Sequence, residues 1–288
     1  MSSAEISSGK SAASLDKSKR GLIRVFVWLL LFALLVRYAF IWADTFAGAS
    51  LPHIGGIGFT VIFAAFSILH AADMLGWRRA IAFLATCVVV SFCFESVGVA
   101  TGLVYGPYHY GTALGAKIAG VPVIIPFAWF MMIYASWIVA HLLLEGAGSP
   151  ASLAGVLARA VIAAMVMTAW DTLMDPGAAR AGAWVWENGG AYFGVPFQNY
   201  IGWLATTLVV YLVVALFFRA MARRPRPVTT RIYSGAPVWA YAIVAIDQLL
   251  VVTIPELHIV AAFSMGLIAL LALLRLLLGR GPIALPTD

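Results

Sequence analysis

Eight apolar runs, each near the length that crosses a bilayer, dominate this chain. A spanning helix needs about 20 predominantly apolar residues. Runs of that kind occupy 23–43, 54–75, 80–99, 122–144, 153–174, 199–218, 237–254 and 257–278. Lipid offers no partner to an open backbone N–H or C=O, so such runs fold as helices that satisfy themselves. Only 10% of the 288 residues are charged, against roughly 25% in soluble domains. The reading is an all-α integral membrane protein with a single transmembrane domain over 21–280. A disordered tail is expected over 1–20 and a short C-terminal tail over 281–288. The turn through Pro255, Glu256 and His258 is tight enough that the last two runs form either two full crossings or a hairpin reversing inside the membrane.

Charge sets the orientation. Lys and Arg near span ends collect on the cytoplasmic side. All eighteen except Arg37, Lys117 and Arg180 fall on the side of the N-terminus, including Lys10, Lys17 and the cluster Arg219, Arg223, Arg224 and Arg226. Both termini are therefore expected in the cytoplasm, in a multi-pass protein of the cell (inner) membrane. The net charge of +6 orients the chain and touches anionic head groups, with no need of nucleic acid. Ala47-Gly48-Ala49 imitates a signal-peptidase site, but the run before it is too long for a signal peptide, and an uncleaved first helix is expected.

Several acids sit where lipid penalises them. Glu95 closes the third run, and Asp171 and Asp175 close the fifth. An intramembrane charge costs at least about 2.5 kcal/mol and marks a functional site by default. Asp175-Pro176 also reads as a helix stop with a solvated acid, and Glu95 as a side chain reaching the interface. Asp247, somewhat deeper, reads as a structural partner. Asp44, Asp73 and Glu145 read as solvated span ends, His70 with Asp73 as a helix-end pair, and Cys87 and Cys93 as small apolar packing without a disulfide. No Cys/His spacing resembles a metal site.

Two segments share a plan. One runs from Glu95 through an aromatic, glycine-rich loop to Gly120-Val121-Pro122 and Trp129. The other runs from Asp171 through a similar loop to Gly194-Val195-Pro196 and Trp203. Both hairpins, the third with the fourth span and the fifth with the sixth, leave and re-enter the membrane on the outer side. That describes a parallel repeat about an axis along the membrane normal. The alternative is coincidence, since Pro starts helices well and Trp favours interfaces. Loop backbone at such depth is tolerated where it lines a cavity, so the loops are expected to cap a pocket open to the outer leaflet.

Asp171 and Asp175, four residues apart, share a helix face. Two acids in a low-dielectric place do not both ionise easily, so one holds a proton at neutral pH. A carboxylic acid beside grease is a proton donor, a second carboxylate orients or deprotonates water, and Trp and Tyr faces stabilise a transient cation. These parts suit acid-catalysed chemistry on an alkene: a tertiary carbocation forms, and then water adds or a proton leaves elsewhere.

At these motifs the sequence resembles the membrane carotenoid hydratases, of the bisanhydrobacterioruberin and γ-carotene hydratase type. The resemblance lies in 95–102 (Glu95-Ser96-Val97-Gly98-Val99-Ala100-Thr101-Gly102), Tyr105-Gly106-Pro107-Tyr108-His109-Tyr110, Gly120-Val121-Pro122 and Trp129. It continues in Trp170-Asp171-Thr172-Leu173-Met174-Asp175-Pro176, Trp184, Trp186, Tyr192-Phe193-Gly194-Val195-Pro196 and Asn199-Tyr200-Ile201-Gly202-Trp203. It covers roughly residues 85–210. It implies addition of water to the terminal double bond of an acyclic carotenoid end, giving a tertiary alcohol without a cofactor or metal. The resemblance does not assign the roles; from the shared depth of the acids, Asp171 or Asp175 is expected to protonate the alkene and Glu95 to handle water beside Asn199. Trp186, Trp203, Tyr105 and Tyr108 line the cationic end, with Trp129 and Glu187 contributing to substrate or water binding. The partners expected are membrane lipid, the carotenoid and downstream carotenoid-modifying enzymes, whether the carotenoid is C40 or C50. Three alternatives stay open: a carotenoid cyclase or isomerase, a prenyltransferase with only half its aspartate-rich signature, and a non-enzymatic proton-coupled transporter or pigment-binding protein.

Overall fold

The chain is described here by a computed structural model covering residues 3–149, 151–221, 229–252 and 254–285, with side chains from Ser18 onward. Arg223, Arg224 and Arg226 lie outside the described residues, as do the side chains of Lys10 and Lys17. The apolar runs become α1 (Ser3–Ala47), α2 (Gly56–Leu75), α3 (Trp77–Thr101), α4 (Ile125–Leu143), α5 (Leu153–Arg180) and α6 (Phe197–Ala220). After the single turn α7 (Arg231–Ser234) come α8 (Ala236–Leu250), α9 (Leu257–Ala261) and α10 (Leu267–Leu278), the last two joined through a π-helical turn at Ala262–Gly266. Four short strands lie between helices: β1 (Tyr108–Tyr110), β2 (Lys117–Ile118), β3 (Val121–Pro122) and β4 (Trp184–Trp186).

Among the described residues, seven helices are long and apolar enough to cross a membrane, counting Leu257–Leu278 as one, and this is a multi-pass membrane protein. The eighth expected span, α8, has 15 residues. At 1.5 Å per residue it is about 22 Å long against about 30 Å of hydrocarbon. It ends at Leu250, and the next helix, α9, begins at Leu257. α1 is helical from Ser3, where a disordered tail was expected over 1–20, although its apolar span starts only at Ser18. The Ser, Ala and Lys residues ahead of it permit helix but offer no apolar face to bury.

α4 forms the centre of the bundle. Phe130, Met132, Ile133, Tyr134, Ala135 and Ile138 along it are fully buried. Phe83 of α3 meets Phe130, Tyr134 and Trp137 of α4 edge to face at 5.6–6.0 Å. Exposed apolar side chains such as Phe32, Val89, Leu216 and Phe263 face outward, the arrangement a lipid solvent favours. The cations gather at the end of the bundle opposite the loops. There Arg24 pairs with Asp73 at 2.8 Å, and Arg231 pairs with Glu145 at 2.6 Å while donating to the carbonyls of Arg275, Leu276 and Gly281. Ile283 and Leu285 pack into the same corner.

Three expectations change here. Asp73 is buried and ion-paired, not solvated, because Arg24 reaches it from α1. Glu145 is likewise held by Arg231. His70 does not close on Asp73: its ring sits between the Tyr134 hydroxyl at 2.7 Å and the Tyr233 carbonyl at 2.8 Å. Asp44, half exposed, meets His53 at 3.0 Å, and Asp247 accepts from the Trp42 indole at 3.0 Å, the structural partnership expected of it. Cys87 and Cys93 are both free thiols.

The repeat has a geometric counterpart. β1 and β4, one from each loop, pair antiparallel with His109 opposite Val185. Each of these two residues stands fourteen positions beyond its acid, Glu95 or Asp171, so the ladder is centred on equivalent residues. Each loop then makes the same tight turn. Ala119 and Gly120 have φ of 49° and 81°, and Phe193 and Gly194 have 51° and 92°. These turns join Ile118 to Val121 and Tyr192 to Val195. Two successive positive-φ residues are the signature of a type I′ hairpin.

Candidate active site

Glu95 lies in the last two turns of α3 and is 4% exposed. α3 stops at Gly102, whose left-handed φ of 70° turns the chain back over the helix end. The returning strand β1 places Tyr108 and Tyr110 on one side, because alternate residues of a strand share a face. Both hydroxyls donate to Glu95 Oε2, that of Tyr110 at 2.8 Å, and the Trp129 indole donates to Oε1 at 2.9 Å. Three donors converging on one carboxyl are the surroundings that suit an ionised acceptor.

Tyr105 is wedged between α3 and α6, and two glycines make the room. A Cβ on Gly202 would stand 2.6 Å from the Tyr105 ring and 2.6 Å from the Val104 carbonyl; one on Gly98 would stand 2.8 Å from the ring. The Tyr105 hydroxyl bonds Thr206 at 2.8 Å, and its carbonyl accepts from the Trp186 indole at 2.9 Å. Burial above all, and then the Glu95 charge, push the phenols of Tyr105, Tyr108 and Tyr110 well up from their ordinary range. They stay protonated as donors.

Asp171 and Asp175 are almost fully buried. The helix-stop reading of Asp175-Pro176 does not hold: α5 continues through Pro176 to Arg180. Proline inside a membrane helix is tolerated where neighbours re-satisfy the backbone. Asn199, in the first turn of α6, donates from Nδ2 to Asp171 Oδ2 at 3.0 Å and to Asp175 Oδ2 at 2.5 Å. One amide thus bridges the two carboxyls, which share a face of α5. Two buried carboxyls this close do not easily both ionise, so the pair suits the holding of one proton.

A cavity of about 250 Å³ joins these groups. Glu95, Asp175 and Asn199 reach it among Tyr105, Tyr108, Trp129, Trp186 and Trp203, so eight of the residues singled out from sequence line one space. Trp129 and Trp203 stack at 4.1 Å, and Trp170 meets Trp203 edge-on at 5.9 Å. Partly exposed Gly56, Phe59, Leu114 and Ile124 flank one side. Asp171 lies outside the lining, behind Asn199. Glu187 also lies outside it: its side chain is 55% exposed and meets His109 at 2.5 Å on the outer face of the β1–β4 ladder.

Sequence reading quoted Tyr110, Trp170 and Trp184 within its motifs but gave them no role in the site, and it did not single out Phe59. Strand alternation from Tyr108 pointed to Tyr110, and Trp170 adjoins Asp171. Nothing local marked Phe59, which arrives from α2 through packing alone.

The chain can now be set beside known proteins. A family model described as "Carotenoid biosynthesis protein" matches residues 55–273, a stretch containing every residue that lines the cavity. Bisanhydrobacterioruberin hydratase of Haloarcula japonica is 36% identical over 149 residues, 51% of this chain and 49% of that protein. The chain thus spans about half the length of that curated relative. No solved structure matches it. The family match takes in most of the membrane domain and its whole cavity, and the chain belongs to the carotenoid biosynthesis protein family.

Proposed function

We propose that this protein is a cofactor-independent carotenoid hydratase of the cell (inner) membrane, adding water to the terminal C=C of an acyclic carotenoid end. The observation that carries the reading is that Glu95 and the Asp171–Asp175 pair approach a single aromatic cavity with opposite hydrogen-bond character. Glu95 is surrounded by donors, whereas the two buried aspartates crowd one Asn199 amide, where one of them keeps a proton. The hydratase relative supports the substrate class.

Asp175, the member of the pair that reaches the cavity, gives its proton to the CH carbon of the trisubstituted alkene. The π electrons form the new C–H bond and leave a tertiary cation, which the faces of Trp129, Trp186 and Trp203 stabilise through their quadrupoles. Water adds its lone pair to the cation, and Glu95 takes the proton released from the oxonium. Asp171 and Asn199 hold Asp175 in place.

The test is expression in cells that accumulate lycopene or an acyclic C50 carotenoid, with products read by mass spectrometry. Products heavier by one water per modified end are expected. Retention of wild-type turnover by Asp171→Asn, Asp175→Asn and Glu95→Gln together would overturn the assignment. A product of unchanged mass would move the reading to a cyclase or isomerase, which shares the proton donor but sheds a proton instead of capturing water.

A further inference from the structure

The cavity is small for the substrate proposed above. Its volume of about 250 Å³ falls below the roughly 300–1,000 Å³ of pockets that enclose a drug-sized ligand. At about 30 Å³ for each water-sized group, it holds roughly eight such groups. That is room for the alkene end of an isoprenoid and little more. A C40 or C50 polyene is a long rod, so the rest of it must lie outside while the end reacts. The wall therefore needs an opening, and the chain outside needs an apolar surface to rest on.

One residue marks the opening. Among the described residues that line the cavity, Gly56 alone is exposed. It is the first residue of α2, and a Cβ built on it would stand in open space. Partly exposed Phe59 lines the cavity one turn further along α2, and Leu114 and Ile124 do so from the loop ahead of α4. The wall made by β4 and α6 is closed, with Trp186, Asn199 and Trp203 all buried. The rim is apolar, and so are the exposed residues next to it, Ile57, Val61 and Val123. Phe59 is held firmly. Its ring meets Tyr38 and Phe63 edge to face, each at 5.9 Å, and the Arg37 guanidinium lies 4.7 Å from its centroid. Arg37 also donates to the Ile54 carbonyl at 3.1 Å, tying the chain that enters α2 to α1.

We propose that this gap, between the first turn of α2 and the loop ahead of α4, is the port through which one end of the carotenoid enters from lipid, while the rest of the polyene stays outside against Ile57 and Val61. The proposal rests on the hydratase reading of the cavity. An apolar rim lets an apolar end pass without desolvating a polar group. Phe59, fixed by Tyr38, Phe63 and Arg37, sets the width of the gap, and the missing side chain of Gly56 leaves it open. Gly56 thus acts on entry and not on the chemistry.

The test sets Gly56→Trp beside Gly55→Trp, in the full chain in lipid nanodiscs loaded with lycopene or an acyclic C50 carotenoid. Gly55 has extended backbone, is exposed with open space around it, and lies outside the cavity lining. Gly56→Trp should lower kcat/KM at least about ten-fold, chiefly through KM, as for lost substrate binding. It should also lose the pigment that purifies with the wild type, read by visible absorbance. Gly55→Trp should stay within about two-fold, as surface substitutions do. If Gly56→Trp does not fold, Leu114→Trp narrows the same gap from the loop side and carries the same expectation. Wild-type kcat/KM in the folded variant overturns the port. An equal loss in Gly56→Trp and Gly55→Trp overturns it too, since a disturbed helix start would then be the cause. A wild type that holds the pigment but hydrates none overturns the hydratase reading instead. The port then stands if Gly56→Trp alone loses the pigment, and falls if it keeps it.

Discussion

Trp129 and Trp203 stack with ring centroids 4.1 Å apart and planes inclined by 26°, and they hold the same place in the two repeated hairpins, each seven residues after its proline. One ring donates to Glu95, and the other packs against Trp170 beside the aspartate pair. The stack joins the two acidic centres, and it sits where equivalent residues of the two halves meet.

The two aspartates should not be equivalent. Asp175 lines the cavity and Asp171 does not, so on the proposed mechanism Asp175→Asn removes the proton donor itself. General acid catalysis contributes typically about 10²- to 10⁴-fold, and a loss in that range is expected. Asp171→Asn should cost less, because the donor keeps its position on Asn199. Hydrated product per cell, normalised to protein, checks the order.

Glu95 depends on its three donors. On the proposed mechanism Glu95 is ionised, and Tyr110→Phe removes one hydrogen bond to it, worth about 1.5–3 kcal/mol. If that interaction serves the transition state, the expected loss of activity is about 10- to 100-fold. Trp129→Phe should do as much and should also weaken the Trp203 stack. Glu95→Gln tests the same centre directly, and turnover by mass spectrometry reads all three.

Gly202→Ala should destabilise the loop layer. Its Cβ would stand 2.6 Å from both the Tyr105 ring and the backbone oxygen of Val104, and backbone cannot yield as a flexible side chain does. Overpacking of this kind costs about 1–3 kcal/mol. Thermal unfolding in detergent should show a lower Tm, with activity reduced because Tyr105 borders the cavity. An unchanged Tm contradicts the wedge.

The loop phenols give a pH signature. Buried Tyr105, Tyr108 and Tyr110 bind their protons more tightly in the folded protein than in the unfolded chain. A group with a raised folded pKa contributes stability fully below its unfolded value, about 10 for Tyr, and loses it as pH rises further. These phenols should therefore not titrate with free tyrosine near pH 10. They should ionise together with unfolding at higher pH. Tyrosinate absorbance followed beside circular dichroism checks the coincidence.

Glu187 provides the contrast. It meets His109 on the exposed face of the β1–β4 ladder, away from the cavity. Exposed ion pairs are worth about 0–1 kcal/mol. Glu187→Gln is expected to retain hydration within about three-fold, and a loss as large as that of Asp175→Asn would place it in the site after all.

The sequence by itself determined the solvent, the helices and the acids. Apolar runs of bilayer length leave the backbone no other way to satisfy itself, and Glu95, Asp171 and Asp175 stand out because lipid penalises charge. The spacing of Asp171 and Asp175 placed them on one face, since 3.6 residues per turn is a local property. The matched Gly-Val-Pro and Trp positions carried the repeat. What only the tertiary structure decided was which acid faces the cavity and which stands behind it, because the two differ by only about 40° around the helix axis and neighbouring helices choose between them. It also decided that Asn199 bridges both aspartates, that Phe59 arrives from a distant helix, and that Glu187 points outward. Burial of a side chain is set by what packs against it, and no local pattern records the partner.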